Sequence, residues 1–448
     1  MLFSMPIAVV LLKETTSLMT RAKPKPANLI IDVSKAGFYK PSVWANFAQG
    51  GEEKVNMFTA ISQEIAGLQP SYIRIDHVYD FYDVVARDES GRLTYDWSRL
   101  DEQVKGILST GAKPFFSLSY MPEAISRSNE VDIPNNWKEW EEVVQKTVEH
   151  YSGFGGLGIR GVYYEVWNEP DLFGGFKLYG DKNYLTLYKF AAQGASNAKN
   201  VNPFKFGGPA TTALYENWVR NFLMFVRDSD LRIDFYSWHR YSQDMNDFEN
   251  DLRLLKDLMN EFPEYINLEL LISEIGFSSE NNEAYDTFLG AIHSLATVAI
   301  HDLEIDRLFS FELKDGPGHK KYWGRWGILT HESFGKPEKK PRYYSFEFLN
   351  KISGSPIAVE GQGTWVKSMA RFATNRLSVL VVNYDASGKN LEAVPIRFVN
   401  LPKNNFNFKK IEFLGRETAF EPITTQANEW QTVELLKPNS AYILELDF

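Results

Sequence analysis

The chain of 448 residues contains no cysteine. That absence excludes disulfides, thiolate nucleophiles and cysteine-ligated zinc. It leaves the compartment open, because a core of this size needs no crosslinks. Histidine is also scarce: there are seven, and none falls in an H-E-x-x-H or similarly close pair. A catalytic metal is therefore not expected, nor any other cofactor. Positive charge is in deficit, with 48 Lys and Arg against 58 Asp and Glu for a net charge of −10. A nucleic-acid partner needs basic surface to neutralise phosphate, and an anionic membrane needs the same, so a neutral substrate fits better. No G-x-x-x-x-G-K-[ST] string and no G-x-S-x-G elbow occurs. Gly153-Phe-Gly-Gly-Leu-Gly158 meets the pattern G-x-G-x-x-G, but it follows a helical pattern and leads into a strand, so it reads as a turn. No apolar run is long enough to span a bilayer; Phe3 to Leu12 is too short. Two readings of residues 1–27 stay open. They are the remnant of a secretion signal or anchor, with Arg21-Ala-Lys-Pro-Lys-Pro26 as a basic spacer, or an unprocessed terminus. Localisation, secreted or cell-envelope against cytoplasmic, stays open with them.

What is present is apolar and aromatic. Hydrophobic residues make up 44% and aromatics 15%, enough for a large core and too much for a disordered chain. The length predicts two domains. From residue 45 onward, strand-like runs alternate with amphipathic stretches. The runs are Asn46–Gly50, Tyr72–Ile75, Lys113–Leu118, Gly161–Val166, Lys205–Gly208, Asp234–Trp238, Glu269–Ser273 and Arg307–Phe311. Helical patterns lie between or after them at Trp137–Tyr151, Tyr184–Asn200, Trp218–Arg227, Asn282–Ile300 and Tyr343–Ile352. Such alternation predicts an α/β fold, a (β/α)8 TIM barrel over residues 28–353. Residues 354–448 read as short strands separated by turns such as Asp385-Ala-Ser-Gly388, a small C-terminal β-sandwich to which residues 28–33 are expected to add a strand.

Two of the barrel runs end in glutamate just before a turn: Tyr164-Glu-Val-Trp-Asn-Glu-Pro-Asp171 and Leu271-Ile-Ser-Glu-Ile-Gly276. In a parallel barrel, chemistry sits where the strands end, so Glu169 and Glu274 are expected at one mouth, closing strands four and seven. Paired carboxylates suit the cleavage of a glycosidic bond. Glu165, four residues back inside its strand, reads as a buried structural carboxylate in need of a partner such as an arginine.

Four segments in order carry a family resemblance. They are Pro114-Phe-Phe-Ser-Leu-Ser-Tyr-Met-Pro122, Glu165-Val-Trp-Asn-Glu-Pro-Asp171 with Tyr184-Leu-Thr-Leu-Tyr188, Phe206-Gly-Gly-Pro-Ala210, and Asp234-Phe-Tyr-Ser-Trp-His-Arg-Tyr241. Over Asn28 to Ser353 the chain resembles glycoside hydrolase family 39, within the clan of retaining barrel glycosidases whose members act on xylosides, iduronides and bacterial exopolysaccharides. The resemblance implies Glu169 as general acid/base and Glu274 as nucleophile, in a double displacement on an oligo- or polysaccharide. Asn168 is expected to bind the sugar hydroxyl next to the anomeric carbon. Arg74 is expected to hold Glu274 ionised, and His77 and His239 to contact the sugar. Tyr241 is expected to donate to Glu274, and Trp323 and Trp326 to form a sugar platform. Tyr120 and Glu52 are weaker candidates. The alternative function is a barrel that binds carbohydrate without turning it over. Short loops, Gln243–Asn250 after strand six among them, predict an open groove and cleavage within chains. Oligomeric state and sugar identity stay open.

Overall fold

The computed structural model describes residues 24–51 and 53–448. The expectations for residues 1–23 and for Glu52 lie outside the described residues. The eight predicted runs are the eight strands of one closed parallel barrel. They span Asn46–Gln49, Tyr72–Ile75, Lys113–Leu118, Tyr163–Val166, Lys205–Thr211, Phe235–Tyr241, Glu269–Gly276 and Arg307–Phe311, and are numbered one to eight here in that order. Strand eight closes on strand one through Phe309 opposite Asn46 and Phe311 opposite Ala48. Three strands run further than their apolar cores suggest. Residues beyond the expected ends, such as His239–Tyr241 and Ile275–Gly276, stay in the ladder.

The strands are apolar on both faces because both are buried. The inward face fills the barrel with rings: Phe115 stacks on Tyr163 at 5.3 Å between centroids and meets Phe309 at 4.7 Å. The outward face packs under the helices, in a cluster that includes Phe116, Tyr164, Phe206 and Trp238. Gly207 is a position of close approach: a Cβ there would lie 2.2 Å from the Phe235 carbonyl of the neighbouring strand.

Helix boundaries depend on caps. Asn136 and Asn183 each accept a backbone N–H two residues on, opening the helices Trp137–Tyr151 and Tyr184–Asn197. The same device corrects one expectation. Asp244 caps a helix over Met245–Met259, so Gln243–Asn250 is not a loop. The run Gln-Asp-Met-Asn-Asp-Phe-Glu-Asn hides the helix because its first turns are polar, while Met245, Phe248 and Leu255 supply the buried stripe. The predicted helix Asn282–Ile300 is broken into a short 3-10 turn, Glu283–Asp286, and the helix Phe288–His301.

Apart from a two-stranded hairpin, Val85–Arg87 with Leu93–Tyr95, the remaining strands form two antiparallel-rich sheets. One has six strands, with Val366–Ala373, Arg376–Asn383 and Ser440–Asp447 at its centre. The other has four and includes Leu29–Asp32, which runs parallel to Glu392–Val399 and antiparallel to Val359–Glu360. The sequence reading missed Glu421–Thr424 and Trp430–Leu436, whose outward residues are polar or exposed. The six-stranded sheet sits on the helix Phe288–His301. Arg371 locks the junction, its guanidinium clamping Asp302 at 2.6 Å and donating to the carbonyls of Lys40, Pro41 and Gly354. No helix among the described residues is long and apolar enough to cross a membrane.

Candidate active site

Glu169 and Glu274 both lie at the C-terminal mouth of the barrel. The turn after strand four presents Glu169 through unusual backbone: Trp167 and Glu169 have φ of 75° and 45°, the left-handed region that costs a non-glycine residue energy. The surroundings hold it. The Trp167 indole donates to the Phe173 carbonyl at 2.9 Å, and the Glu169 N–H donates to the Ala210 carbonyl at 3.0 Å. The Glu169 carbonyl accepts from the N–H groups of Leu172 and Phe173. Strand seven carries Glu274 across a register shift between Ile272 and Glu274, opposite His239 of strand six.

One carboxylate oxygen from each glutamate and one ring nitrogen of His239 lie within 4.8 Å of one another. His239 Nδ1 is 2.9 Å from Glu169 Oε1 and 3.6 Å from Glu274 Oε2. Both oxygens of Glu274 are engaged. Arg74 Nη1 donates to Oε1 at 2.8 Å, and the Tyr241 hydroxyl donates to Oε2 at 2.7 Å. Glu169 Oε2 has no hydrogen-bond partner among the described residues. Arg74 is the hub: its Nε donates to Glu165 at 2.7 Å and its Nη2 to Asn168 Oδ1 at 2.8 Å. Asn168 Nδ2 in turn donates to the Tyr120 hydroxyl at 2.9 Å.

Burial raises the carboxyl pKa of Glu274 above its ordinary value, and the charges of His239 and Arg74 offset only part of that rise. Burial also disfavours the imidazolium of His239, but the charge of Glu274 and the hydrogen bond to Glu169 outweigh it, so its pKa is raised. Burial pushes the Tyr241 phenol well above its usual range, and the charge of Glu274 adds to the shift, so it stays a donor.

Arg74, Asn168, Tyr120, His239 and Tyr241 thus share one network with both glutamates. His77 reaches it through Tyr120, by ring contact at 4.7 Å and by way of Asp80, which pairs with His77 Nδ1 at 2.7 Å and accepts the Tyr120 N–H at 3.0 Å. Trp326 approaches by way of Phe311, ring centroids 5.3 Å apart, and donates to the Ser278 carbonyl at 3.1 Å. Trp323 touches His319 and Arg325 instead. The loop bearing both tryptophans is clamped by buried Lys340, which pairs with Asp286 at 2.7 Å and Asp315 at 2.8 Å. These carboxylates also accept the N–H groups of Gly324 and Gly327.

Sequence reasoning missed Gln49 and Glu312, at the ends of strands one and eight, where Gln49 Nε2 donates to Glu312 Oε2 at 3.0 Å. The signal was present: Arg307-Leu-Phe-Ser-Phe-Glu312 repeats the pattern of an apolar run ending in glutamate. A second cluster with metal-ligand spacing, Glu53, His331 and Glu332, already holds the Lys314 ammonium at 2.7 and 2.8 Å from its carboxylates. Its cation position is occupied by the chain itself.

Fold and site together define a (β/α)8 barrel with paired glutamates facing one another at the ends of strands four and seven. The sequence model of glycosyl hydrolases family 39 matches residues 56–268. A beta-xylosidase of Caldicellulosiruptor saccharolyticus is 26% identical over 63% of this chain and 62% of its own, and one of Geobacillus stearothermophilus 24% identical over 60% and 58%. The chain thus spans about three fifths of the length of these curated relatives. Among solved structures, the GH39 enzyme of Xanthomonas axonopodis pv. citri matches with a TM-score of 0.71 at 19% identity, covering 94% of this chain and 97% of that one. A monomeric beta-xylosidase of Caulobacter crescentus CB15 matches with 0.73 at 17% identity, covering 94% and 99%. Over residues 56–268 the chain is therefore similar to glycosyl hydrolases family 39, and over nearly its whole length it shares the fold of solved members.

Proposed function

We propose that this chain hydrolyses O-glycosidic bonds of an oligo- or polysaccharide with retention of anomeric configuration. The first substrate to test is a β-xyloside, given what its relatives are called. The observation that carries the reading is the approach of the two carboxylates to within 4.8 Å. Retaining enzymes hold their carboxyl groups about 5–5.5 Å apart, whereas inverting ones keep about 6.5–9.5 Å to admit a water.

The two environments divide the roles. Glu274 accepts from Arg74 and Tyr241, two donors that favour and orient the carboxylate, so it attacks the anomeric carbon. Glu169, with one oxygen uncommitted, gives its proton to the leaving oxygen as that bond breaks. The product of the first step is a glycosyl ester on Glu274 and a free leaving group. Glu169, now ionised, takes a proton from water, whose oxygen attacks the same carbon. Glu274 leaves as carboxylate, and two inversions restore the configuration. Asn168 has one amide N–H beyond the one given to Tyr120, and offers it to the sugar hydroxyl beside the reacting carbon.

The test compares wild type with Glu169→Ala and Glu274→Ala on p-nitrophenyl β-D-xylopyranoside, with NMR of the first product anomer. Each variant is expected to lose on the order of 10²–10⁴-fold or more in kcat/KM, with a β product first. Equal and negligible turnover in all three, with sugar binding intact, would instead support the binding barrel. An α product would refute retention.

A further inference from the structure

We propose that a cleft beside the catalytic pair, walled by the loops after strands two and three, binds further sugars of a neutral glycan on the glycone side of the bond cut. The inference rests on the glycosidase reading above. The cleft has a volume of about 1050 Å³, at the upper end of the range for small-molecule sites. Its inner end is His77, whose ring meets Tyr120, and Tyr120 binds the amide of Asn168. Two side chains therefore separate the cleft from the residue assigned to the glycone. Beside His77 lies the half-buried ring of Phe81, 4.1 Å away between centroids and tilted by 30°, with the Lys54 ammonium 5.0 Å from its centre.

The walls are built before any ligand arrives. One is a hairpin pairing Val85–Arg87 with Leu93–Tyr95. The other is the segment from Met121 to Glu130, closed by the Met121 N–H to the Glu130 carbonyl at 2.8 Å. Arg87 ties wall to wall, donating to the Ala124 carbonyl at 3.0 Å. Asp132 holds the second wall through Arg127 and the Ser128 hydroxyl. A cleft fixed in advance spares a ligand the cost of ordering it.

Charge selects the ligand. The arginines of the cleft are already neutralised, Arg87 by Glu139 and Arg127 by Asp132. Glu123 and Glu130 have no ion pair or side-chain hydrogen bond among the described residues. The remaining cation, Lys54, holds its ammonium over the Phe81 ring at 5.0 Å, so two free carboxylates outnumber one free cation, a balance that disfavours uronic acids and suits hydroxyl-bearing neutral sugars. A chain seated here passes through the catalytic site with several units on the glycone side, so the bond cut is internal.

The experiment uses reducing-end-labelled xylo-oligosaccharides from xylobiose to xylohexaose, with p-nitrophenyl xyloside as the short control. Wild type is expected to release products of two or more units from the labelled hexamer, with kcat/KM rising about tenfold or more with chain length. Ala86→Trp, at an exposed position of the hairpin, is expected to abolish that rise and leave the short control within about twofold. In Glu123→Gln/Glu130→Gln, glucuronic-acid-bearing xylan fragments are expected to be cut severalfold faster than by wild type. Release of single xylose units alone, or an Ala86→Trp enzyme equal to wild type on the hexamer, would overturn the cleft while leaving the glycosidase reading standing. A wild type that prefers the acidic fragments would overturn its neutral specificity. No turnover of the short control or of any oligomer would overturn both readings together.

Discussion

Two arginines in this molecule are equally buried, each with a side chain 1% exposed, and they differ in what surrounds them. Arg371, between barrel and sandwich, is sealed. It grips both oxygens of Asp302 and spends its remaining donors on three backbone carbonyls. Arg74, at the barrel mouth, holds three separate side chains, Glu165, Glu274 and Asn168. Around it, buried polar atoms are left without partners: Glu165 Oε1, Asp76 Oδ1 and His239 Nε2. A buried polar group without a partner costs roughly 1–3 kcal/mol, so such a cluster subtracts from stability. The contrast separates two kinds of buried arginine: around the first every donor is satisfied within the chain, and around the second acceptors and a ring nitrogen are left unpaired.

The comparison can be broken most directly by exchanging each arginine for lysine. An ammonium cannot reach three acceptors set around a planar fork. Arg74→Lys is expected to lower kcat/KM on the aryl xyloside on the order of 10²–10³-fold. Arg371→Lys is expected to lose about 1–3 kcal/mol of stability while activity per folded molecule stays within about twofold. Steady-state kinetics beside thermal unfolding of both variants decides it. Similar activity loss in the two would erase the distinction.

Tyr241→Phe sharpens the same contrast with one atom. Removing a hydrogen bond to a charged oxygen at the mouth is expected to reduce kcat about 10–100-fold, with KM changed less and unfolding nearly unchanged. A drop in stability without a drop in kcat would make the hydroxyl structural.

The smallest effect concerns pH. His239 has a raised pKa, because Glu274 and Glu169 outweigh its burial. A base protonated more readily when folded stabilises the fold fully below its unfolded value of about 6.5, and that stability is lost as pH rises through the folded value. The stability gap between wild type and His239→Asn is therefore expected to narrow from about pH 6.5 upward. A gap that stays constant with pH would mean that His239 does not titrate in this window.

How much of this was legible in the chain depends on whether the cause was local. The eight strands were readable because each is an apolar run whose two buried faces need no alternation. Val366–Ala373 and its neighbours were readable by contrast, since turn residues separate them. The helix Met245–Met259 was not, because its polar first turn resembles a loop until Asp244 caps it. In the site, Glu169 and Glu274 stood out by their flanking residues. Glu312 ended a run of the same kind and passed unremarked, because only closure of strand eight against strand one brings it to Gln49.

Alone, the string of residues determined that this chain folds as a barrel with an appended sandwich and carries two glutamates at strand ends. Periodicity and strand termini are encoded within a few neighbouring positions. Only the closed barrel decided that Arg74 bridges Glu165, Glu274 and Asn168, that Tyr241 and His239 serve opposite members of the pair, and that a cleft opens beside Tyr120. Those relations join residues from strands two, three, four, six and seven, and curvature and register alone bring such distant positions within hydrogen-bonding reach.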